Sequence, residues 1–529
     1  MADTIEKIPK NHGEFYFNPL FPQWKEDALR NRERVVKEIV WGQSAPKVRA
    51  ALKLPGNQPL ILSGHQPVFF HPGIWAKCLA ASLLAEAVQG TACHKVTDTG
   101  LGPEFLHRMP EVEENGKSRC KPIEFFHSKD LKDQEKTVPY AFLPAPDFAG
   151  FKKIFSDVQV YGPASVKKNA ALFEEKFIKG LKENPTWDAF HLFTLKMLDE
   201  FSGTSRLYLT ASKLWASEPF LEFVTYWLTH LSELSETYNA SLDEFRKKYQ
   251  IKHDLTPLPN LKFEDWWFEI PFWGVTKYHQ RHSLWAKKDG KHFLLRTKGS
   301  ESTFTISLDD FQRDLSGLPI SLWPKAMPQT LFCRFYLCDY FIHGVGGSVY
   351  EEVNDIFFEK LFKLKALSFG TVTATYFVEP EEEKAVENIL SYEAKVQWWE
   401  RALSQNPEYL FTKKESWEKE LPHFMLAAFK ECFNKPALQK LAAEKDKLLT
   451  EMKTAANKPE IAKKIKETNF TLYEGYTEVI RVLEQGLLDM DKVKTTKDVL
   501  SYRQYPFFCY PPKVFEEMKE KMRVAAHLE

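Results

Sequence analysis

Two histidines lie close together at a predicted strand-to-helix junction. His65 and His71 belong to the run 62–75, which turns from an apolar segment into a helical pattern that begins at Pro72. An imidazole can donate a hydrogen bond to an anion or accept a proton near neutral pH. The free backbone amides at a helix start favour phosphate or carboxylate. The junction therefore predicts an anion-binding site, for which the further candidate ligands are Gly64, Gln66, Gly73 and Lys77.

A second segment, 341–347, repeats this pattern of a histidine and glycines before a helix. We expect that helix to start near Ser348. The candidate catalytic residue is His343, and the candidate cofactor-binding residues are Gly344, Gly346, Gly347 and Ser348. The chain has no Gly-x-x-x-x-Gly-Lys-Ser/Thr loop, so the phosphate-binding assignment depends on the two helix starts.

Strand and helix patterns place these residues at one edge of a sheet. Segments 59–62, 91–96 and 206–210 read as buried strands, and the first two flank the helix that starts at Pro72. A strand–helix–strand order predicts a parallel pair, which brings Asp98 to the same carboxyl edge as His65. Asp98 is therefore a candidate for orienting an amine or a metal ion. The competing interpretation is a tight turn with structural histidines.

The rest of the chain divides into a core, an arm and a return segment. We expect a core over 1–378 with insertions at about 104–150 and 250–315, the first of them with little regular structure. Apolar residues at alternating steps of three and four predict an antiparallel helical coiled-coil arm over 379–492. An ordinary helical bundle packed on the core is the alternative. Residues 493–529 are expected to return to the core through a strand at 501–512.

Composition excludes several classes of protein. The 529 residues carry 72 basic and 72 acidic side chains, so no overall field attracts nucleic acid or an anionic membrane. The seven cysteines have no paired short spacing, and neither a secretory signal nor an apolar run near 20 residues occurs. We expect a cytoplasmic protein with a small-molecule substrate, without a nucleic-acid or membrane partner and without a dedicated metal site.

Three segments carry a resemblance to a known family. They are Gly64-His65-Gln66-Pro67 with 70–75, Pro271-Phe272-Trp273, and 341–350 with its His343-Gly344 pair. In order and spacing they resemble the cysteine-adding enzymes of bacillithiol biosynthesis, and more closely an uncharacterised bacterial branch of that family. The resemblance implies a Rossmann-like α/β core with connecting insertions and a coiled-coil arm that pairs two subunits into a homodimer.

Two departures from that family concern the chemistry. Where the bacillithiol enzymes typically begin with Gly-Gln-Gln, this chain has Gly64-His65-Gln66, and their acidic cluster after the second strand is reduced here to Asp98. The leading hypothesis is a ligase that joins an amino acid, with cysteine as one candidate, to a small amine or amino-sugar conjugate. ATP or ADP is the candidate nucleotide. The alternatives are a dimeric binding or scaffold protein that has lost the chemistry, and a nucleotidyl transferase in the same cleft.

Overall fold

The protein is a mixed α/β structure. The computed structural model describes residues 8–101, 107–113, 118–123, 138–146, 148–252, 258–300, 302–307 and 309–528. Its strands are β1 (Glu14–Asn18), β2 (Ile39–Val40), β3 (Gln43–Ser44), β4 (Leu60–His65), β5 (Thr91–Val96), β6 (His107–Val112), β7 (Ser118–Ile123), β8 (Leu207–Thr210), β9 (Phe263–Glu264), β10 (Trp267–Thr276), β11 (Arg281–Asp289), β12 (His292–Thr297), β13 (Phe304–Ser307), β14 (Ile320–Pro324), β15 (Tyr340–His343) and β16 (Phe369–Thr375).

Helices cover both faces of the central sheet and form the C-terminal part of the chain. The α-helices in the described ranges are Phe21–Val35, Ala45–Ala51, Pro72–Ala87, Phe148–Tyr161, Ala164–Glu183, Trp187–Ser202, Ala211–Trp215, Glu218–Thr229, Leu231–Lys248, Phe311–Ser316, Ala326–Phe332, Val345–Phe362, Pro380–Leu390, Glu393–Gln405, Tyr409–Thr412, Lys414–Glu420, Leu426–Phe433, Pro436–Glu451, Lys458–Gly475, Thr477–Leu500 and Lys513–Ala525.

The central sheet has the strand order β1-β16-β15-β4-β5-β8. The five strands from β16 to β8 run parallel, and β1 is antiparallel to β16. Ile342 of β15 pairs with Ser63 of β4, and Gly64 of β4 pairs with Lys95 of β5. This register places His343, Gly64 and Lys95 beside one another at the carboxyl ends of three adjacent strands.

The apolar runs explain why these strands are central. Leu60, Ile61 and Leu62 are fully buried, because helices cover both faces of a parallel sheet. On one face lies the helix Pro72–Ala87, whose Trp75, Leu79 and neighbours belong to the same hydrophobic cluster as Ile61. On the other face Leu62 joins a second cluster with the helices 218–229, 231–248 and 345–362.

The predicted second insertion is an antiparallel sheet. It has the strand order β13-β12-β11-β10-β14, with β9 paired to β10. The hairpin turn expected at 288–291 joins β11 to β12. Because β14 belongs to this sheet, the sheet extends beyond residue 315, where the insertion was expected to end.

Two boundaries at the candidate site were wrong. The first strand does not end at Leu62: β4 continues to His65, since Gly64 and His65 keep pairing with Lys95 and Val96. The second helix begins at Val345 rather than near Ser348, with Gly344 as an extended N-cap. Gly346, Gly347 and Ser348 therefore lie inside the helix. Glycines are tolerated there because the backbone amides of a first turn have no partner within the helix.

Three other expectations needed correction. The insertion at 104–150 contains a hairpin of β6 and β7, although 104–106, 114–117, 124–137 and 147 lie outside the described residues. The N-terminal residues 14–18, for which no strand was predicted, contribute β1 to the central sheet. The segment 501–512 is not a strand: it forms turns and a 3₁₀-helix, Phe507–Cys509, because its three prolines cannot donate ladder hydrogen bonds.

A third hydrophobic cluster stabilises the helical part between 380 and 500. Val396, Trp399, Trp417 and Leu483 are fully buried in this cluster. The helices Pro436–Glu451 and Lys458–Gly475 pack against each other, and Thr477–Leu500 reaches back to β7. The second of these helices begins at Lys458, directly after its N-cap Asn457. The description of this part as a coiled-coil arm remains a prediction.

Candidate functional site

A cavity of about 170 Å³ opens at the carboxyl edge of β4, β5 and β15. Crevices at this edge are where open parallel sheets usually bind ligands. The helix Val345–Phe362 forms one wall, and the strand ends form the opposite wall. The polar residues that line it are Lys95, Thr97, Gln329, Thr330, His343, Tyr350, Glu351 and Asn354, and the lining glycines are Gly64 and Gly347. The two predicted loops therefore meet at one cavity, through Gly64, His343 and Gly347.

Two buried lysines flank Gly64. The Lys77 ammonium donates a 2.8 Å hydrogen bond to the Gly64 carbonyl, and Lys95 lies over the Trp215 ring at 5.6 Å from its centroid. Both side chains are almost completely buried. Burial, together with the nearby charge of Lys95, lowers the pKa of Lys77 to about 8. Within the described residues, neither ammonium has a carboxylate within 4.0 Å, so neither lysine is neutralised by a direct ion pair.

Two glycines make room for these cations. A Cβ atom on Gly64 would lie 3.3 Å from the Lys95 carbonyl oxygen and 3.4 Å from Lys95 Cε. A Cβ on Gly344 would contact the Lys77 side chain at 3.7 Å. By contrast, a Cβ on Gly346 would meet nothing within 4 Å. Close approach therefore explains a glycine at position 64, whereas packing does not require one at 346.

His343 is a neutral imidazole beside a carboxylate. Its side chain is 9% exposed, and its Nε2 lies 3.2 Å from Glu351 Oε1 without the alignment of a hydrogen bond. Burial lowers the pKa of His343 well below 6.5, and the charges of Arg334, Lys77 and Lys95 lower it further. The uncharged ring can accept a proton.

His65 and His71 lie outside this cavity. Successive side chains of a strand point to opposite faces, so His65 lies across the sheet from Gly64, where its ring is 5.4 Å from that of Phe70. His65 Nδ1 donates to the Gln66 carbonyl at 3.1 Å. His71 is the N-cap of the helix Pro72–Ala87, and its Nδ1 accepts from the Gly73 amide at 3.1 Å. Burial lowers the pKa of both rings well below 6.5, so both are neutral.

The remaining residues of the first loop face other partners. The Gln66 side chain is directed at Gly100. A Cβ on Gly100 would lie 2.9 Å from the Gln66 side-chain nitrogen Nε2. Gly73 packs against Arg503 of the C-terminal segment, and a Cβ on Gly73 would lie 2.5 Å from the guanidinium. The Ser348 hydroxyl donates to the Val345 carbonyl at 2.9 Å.

Asp98 is held by the start of the short helix Ala211–Trp215. One carboxylate oxygen accepts from the Ser212 amide at 2.8 Å, and the other accepts from the Ser212 hydroxyl. Burial raises the pKa of Asp98, and the two bonds from Ser212 oppose that rise. Asp98 lies at the expected edge but does not line the cavity, whereas Thr97 does.

Sequence reasoning missed the helix wall of the cavity. Gly347, Glu351 and Asn354 follow one another at steps of four and three, so they share one face of the helix Val345–Phe362. Glu351 and Asn354 are 1% and 3% exposed. Their positions alternate with the buried apolar residues Val353 and Phe357. A carboxylate and an amide at core-facing positions are the signal that could have identified this wall.

Arg334 holds Glu351 in place. Its guanidinium donates to Glu351 Oε2 at 2.6 Å and to Asp355 at 2.7 Å. Burial raises the pKa of Glu351, while the charge of Arg334 opposes that rise. The wall therefore presents a fixed carboxylate opposite Lys95.

Similarity to known proteins, metal-binding groups and membrane-spanning helices were each looked for beyond this cavity. No family model matches the chain, and no curated protein shows significant similarity to it. Across the described ranges, histidine, cysteine, aspartate and glutamate side chains form no group of three or more that could hold a metal ion. No helix in the described part of the chain combines the length and apolar character needed to cross a membrane.

Proposed function

We propose that this protein is a ligase that joins the carboxyl group of an amino acid, with cysteine as one candidate, to a small amine or amino-sugar conjugate. The observation that carries the proposal is the pair of buried lysines without acidic partners beside the neutral His343, at the carboxyl edge of a parallel sheet. The three segments that resemble the bacillithiol cysteine-adding enzymes support it, as does a core of Rossmann-like type.

Amide formation in water requires activation of the carboxyl group. In one route the carboxylate attacks the γ-phosphorus of ATP, giving an acyl phosphate and ADP. In the other it attacks the α-phosphorus, giving an acyl adenylate and pyrophosphate. The amine then attacks the acyl carbon, the phosphate or AMP leaves, and a base takes the amine proton. Lys77 and Lys95 are placed to stabilise the anionic groups that both routes create.

His343 is the base that we assign to this reaction. Its neutral ring can accept the amine proton. An anion bound by Lys77 and Lys95 would offset two of the charges that lower the pKa of His343. Ligand binding therefore makes the imidazole more basic at the moment when a base is needed.

The size of the cavity limits what it holds. At about 170 Å³ it is smaller than the roughly 300 Å³ at which pockets for drug-sized ligands begin. It suits the small amino acid. A nucleotide base and ribose would lie outside it, with only the reacting phosphate reaching the two lysines.

Ligand binding and the fate of ATP test the proposal together. We expect ATP with cysteine to raise the melting temperature of the purified protein, and ATP to be consumed only when an amine acceptor is added. His343→Ala should abolish turnover without unfolding the protein, while His282→Ala, in the antiparallel sheet, should not. Pyrophosphate release without amide formation would identify the nucleotidyl transferase. No melting shift with ATP, ADP, cysteine or amino-sugar conjugates would refute the ligase.

A second candidate is a binding or scaffold protein that keeps the fold without the chemistry. The observation in its favour is that both Asp98 oxygens are engaged by Ser212, and His71 Nδ1 by its own helix. Those groups then serve the structure rather than a reaction. Ligand binding that survives in His343→Ala, together with no turnover in the wild type, would favour this candidate.

We also propose that the helical part pairs two subunits. The resemblance supports a homodimer, and the helix Lys458–Gly475 exposes Phe470 at 63% and Tyr473 at 38%. We expect sedimentation to give twice the 61.6 kDa mass at micromolar concentration. Phe470→Glu should shift the protein to monomer, whereas Leu172→Glu, exposed elsewhere, should not. A wild-type mass of one chain would contradict the proposal.

A further inference from the structure

The helix wall of the cavity presents a buried amide oxygen without a donor, next to a carboxylate oxygen. Asn354 Nδ2 donates to Glu351 Oε2 at 3.2 Å, which turns Asn354 Oδ1 away from that carboxylate. Among the described residues, Asn354 Oδ1 is buried and has no hydrogen-bond partner. A buried acceptor left unpaired destabilises a protein, so a site that retains one is a site where a donor is expected to bind.

Glu351 offers the second acceptor. Its Oε2 receives the bonds from Arg334 and Asn354, while its Oε1 receives none from the described residues and lies 3.2 Å from His343 Nε2. Because Arg334 and Asn354 hold the carboxylate from one side, Oε1 has a fixed position. The two vacant acceptors belong to residues one helical turn apart on the same wall.

The opposite wall has the opposite charge. The Lys95 ammonium approaches from β5, and Lys77 lies behind Gly64. A cavity lined by a carboxylate and an amide oxygen on its helix wall and by the Lys95 ammonium on its strand wall is complementary to a short molecule with separated charges.

We infer that Glu351 and Asn354 are specificity-determining residues that hold the ammonium end of a small zwitterion, while Lys95 holds its anionic end. This rests on the proposed function and assigns a residue to each end of the smaller substrate. An ammonium has three N–H groups, so it can donate to Glu351 Oε1 and Asn354 Oδ1 at once. A plain carboxylate leaves both acceptors unpaired and brings a second negative charge towards Glu351.

Calorimetric titration with three matched probes tests the inference. L-Alanine has both charged ends, propionate lacks the ammonium and ethylamine lacks the carboxylate. We expect L-alanine to bind at least tenfold more tightly than either fragment. Asn354→Leu should reduce L-alanine affinity about tenfold and leave propionate affinity unchanged, whereas Lys95→Met should weaken both.

Glu352→Gln is the matched control, because Glu352 is the next residue and pairs with Lys248 and Tyr249 at the surface. It should bind all three probes as the wild type does. Glu351→Gln is a second variant, to be used where circular dichroism shows that it folds without the Arg334 pair. Propionate that binds as tightly as L-alanine, L-alanine that does not bind at all, or unchanged L-alanine binding in Asn354→Leu would each overturn the inference.

The two proposals fail separately. Selective L-alanine binding without any ATP consumption would refute the ligase and leave the two-ended cavity standing. ATP-dependent turnover that is unaffected by Asn354→Leu, with L-alanine affinity also unchanged, would refute the assignment of Glu351 and Asn354 and leave the ligase standing.

Discussion

Lowering the pH from 7 to 5 is expected to destabilise the protein through its buried neutral histidines, and three of them in the core alone account for on the order of 6 kcal/mol of the free energy of unfolding. His94 and His191 are 0% and 1% exposed, and His107 is 9% exposed. Burial lowers the pKa of His107 to about 4 and that of His191 to about 3, and lowers the pKa of His94 well below 6.5. Domains are typically stable by about 5–15 kcal/mol, so the loss is large.

The direction follows from proton linkage. When a histidine has a lower pKa in the folded protein, the unfolded chain takes up its proton at a higher pH than the folded protein does, so falling pH favours unfolding. Its contribution is therefore fully present above pH 6.5, the unfolded value, and is lost as the pH falls towards the folded pKa values of about 4 and about 3. Each such ring gives a slope of about 1.4 kcal/mol per pH unit in that window.

Urea unfolding at pH 7, 6 and 5 measures this effect, and His191→Leu isolates one ring. In the described part of the chain neither ring nitrogen of His191 has a hydrogen-bond partner, so leucine removes none of the bonds seen there. The variant should lose less stability than the wild type, by about 2 kcal/mol between pH 7 and 5. His292→Gln, at an exposed position, should follow the wild type. Parallel curves for His191→Leu and the wild type would show that this ring does not titrate on unfolding.

Lys77→Met is expected to make the protein more stable and less able to bind anions. Burial holds the pKa of Lys77 at about 8 against 10.5, which corresponds to about 3 kcal/mol of destabilisation at pH 7. Methionine has a similar shape without the charge. The same change removes a charged donor from the site, and such bonds contribute about 1.5–3 kcal/mol, so phosphate should bind at least tenfold more weakly.

Melting temperatures with and without millimolar phosphate measure both effects. The variant should melt higher than the wild type without phosphate and should respond less to it. Lys47→Met is the control, because Lys47 is exposed and pairs with Glu222 far from the cavity. A Lys77→Met protein that melts lower yet binds phosphate normally would mean that the ammonium is structural, through its bond to Gly64.

The pattern of apolar runs predicts three of the six strands in the sheet that positions the site, namely β4, β5 and β8. Thr91–Val96 has the bounds expected from the sequence, and the parallel pairing of β4 with β5 follows from the helix between them. The strand β15 was not predicted, since three apolar residues and a histidine fit either period. Its position between β16 and β4 depends on contacts between distant segments, which periodicity does not report.

The sequence predicted which two segments form the candidate site, but not every side chain that faces the cavity. His343, Gly64 and Gly347 line one cavity, as expected from two loops at neighbouring strand ends. His65 was assigned to that cleft, but the alternation of a strand that continues through residue 65 directs it to the other face. Motif spacing identifies which segment reaches an edge, while the exact end of a strand decides which side chain faces the ligand.

The aromatic segment 505–510 bears on how the core folds. Tyr505, Phe507, Phe508 and Tyr510 are fully buried in the same cluster as Phe69, and the Phe507 amide donates to the Phe70 carbonyl. More than four hundred residues separate this segment from Phe70 along the chain. Until the segment packs, the first strand–helix unit has an exposed apolar surface, so this half of the core is completed only by a long-range contact, and partly folded chains are natural clients for chaperones.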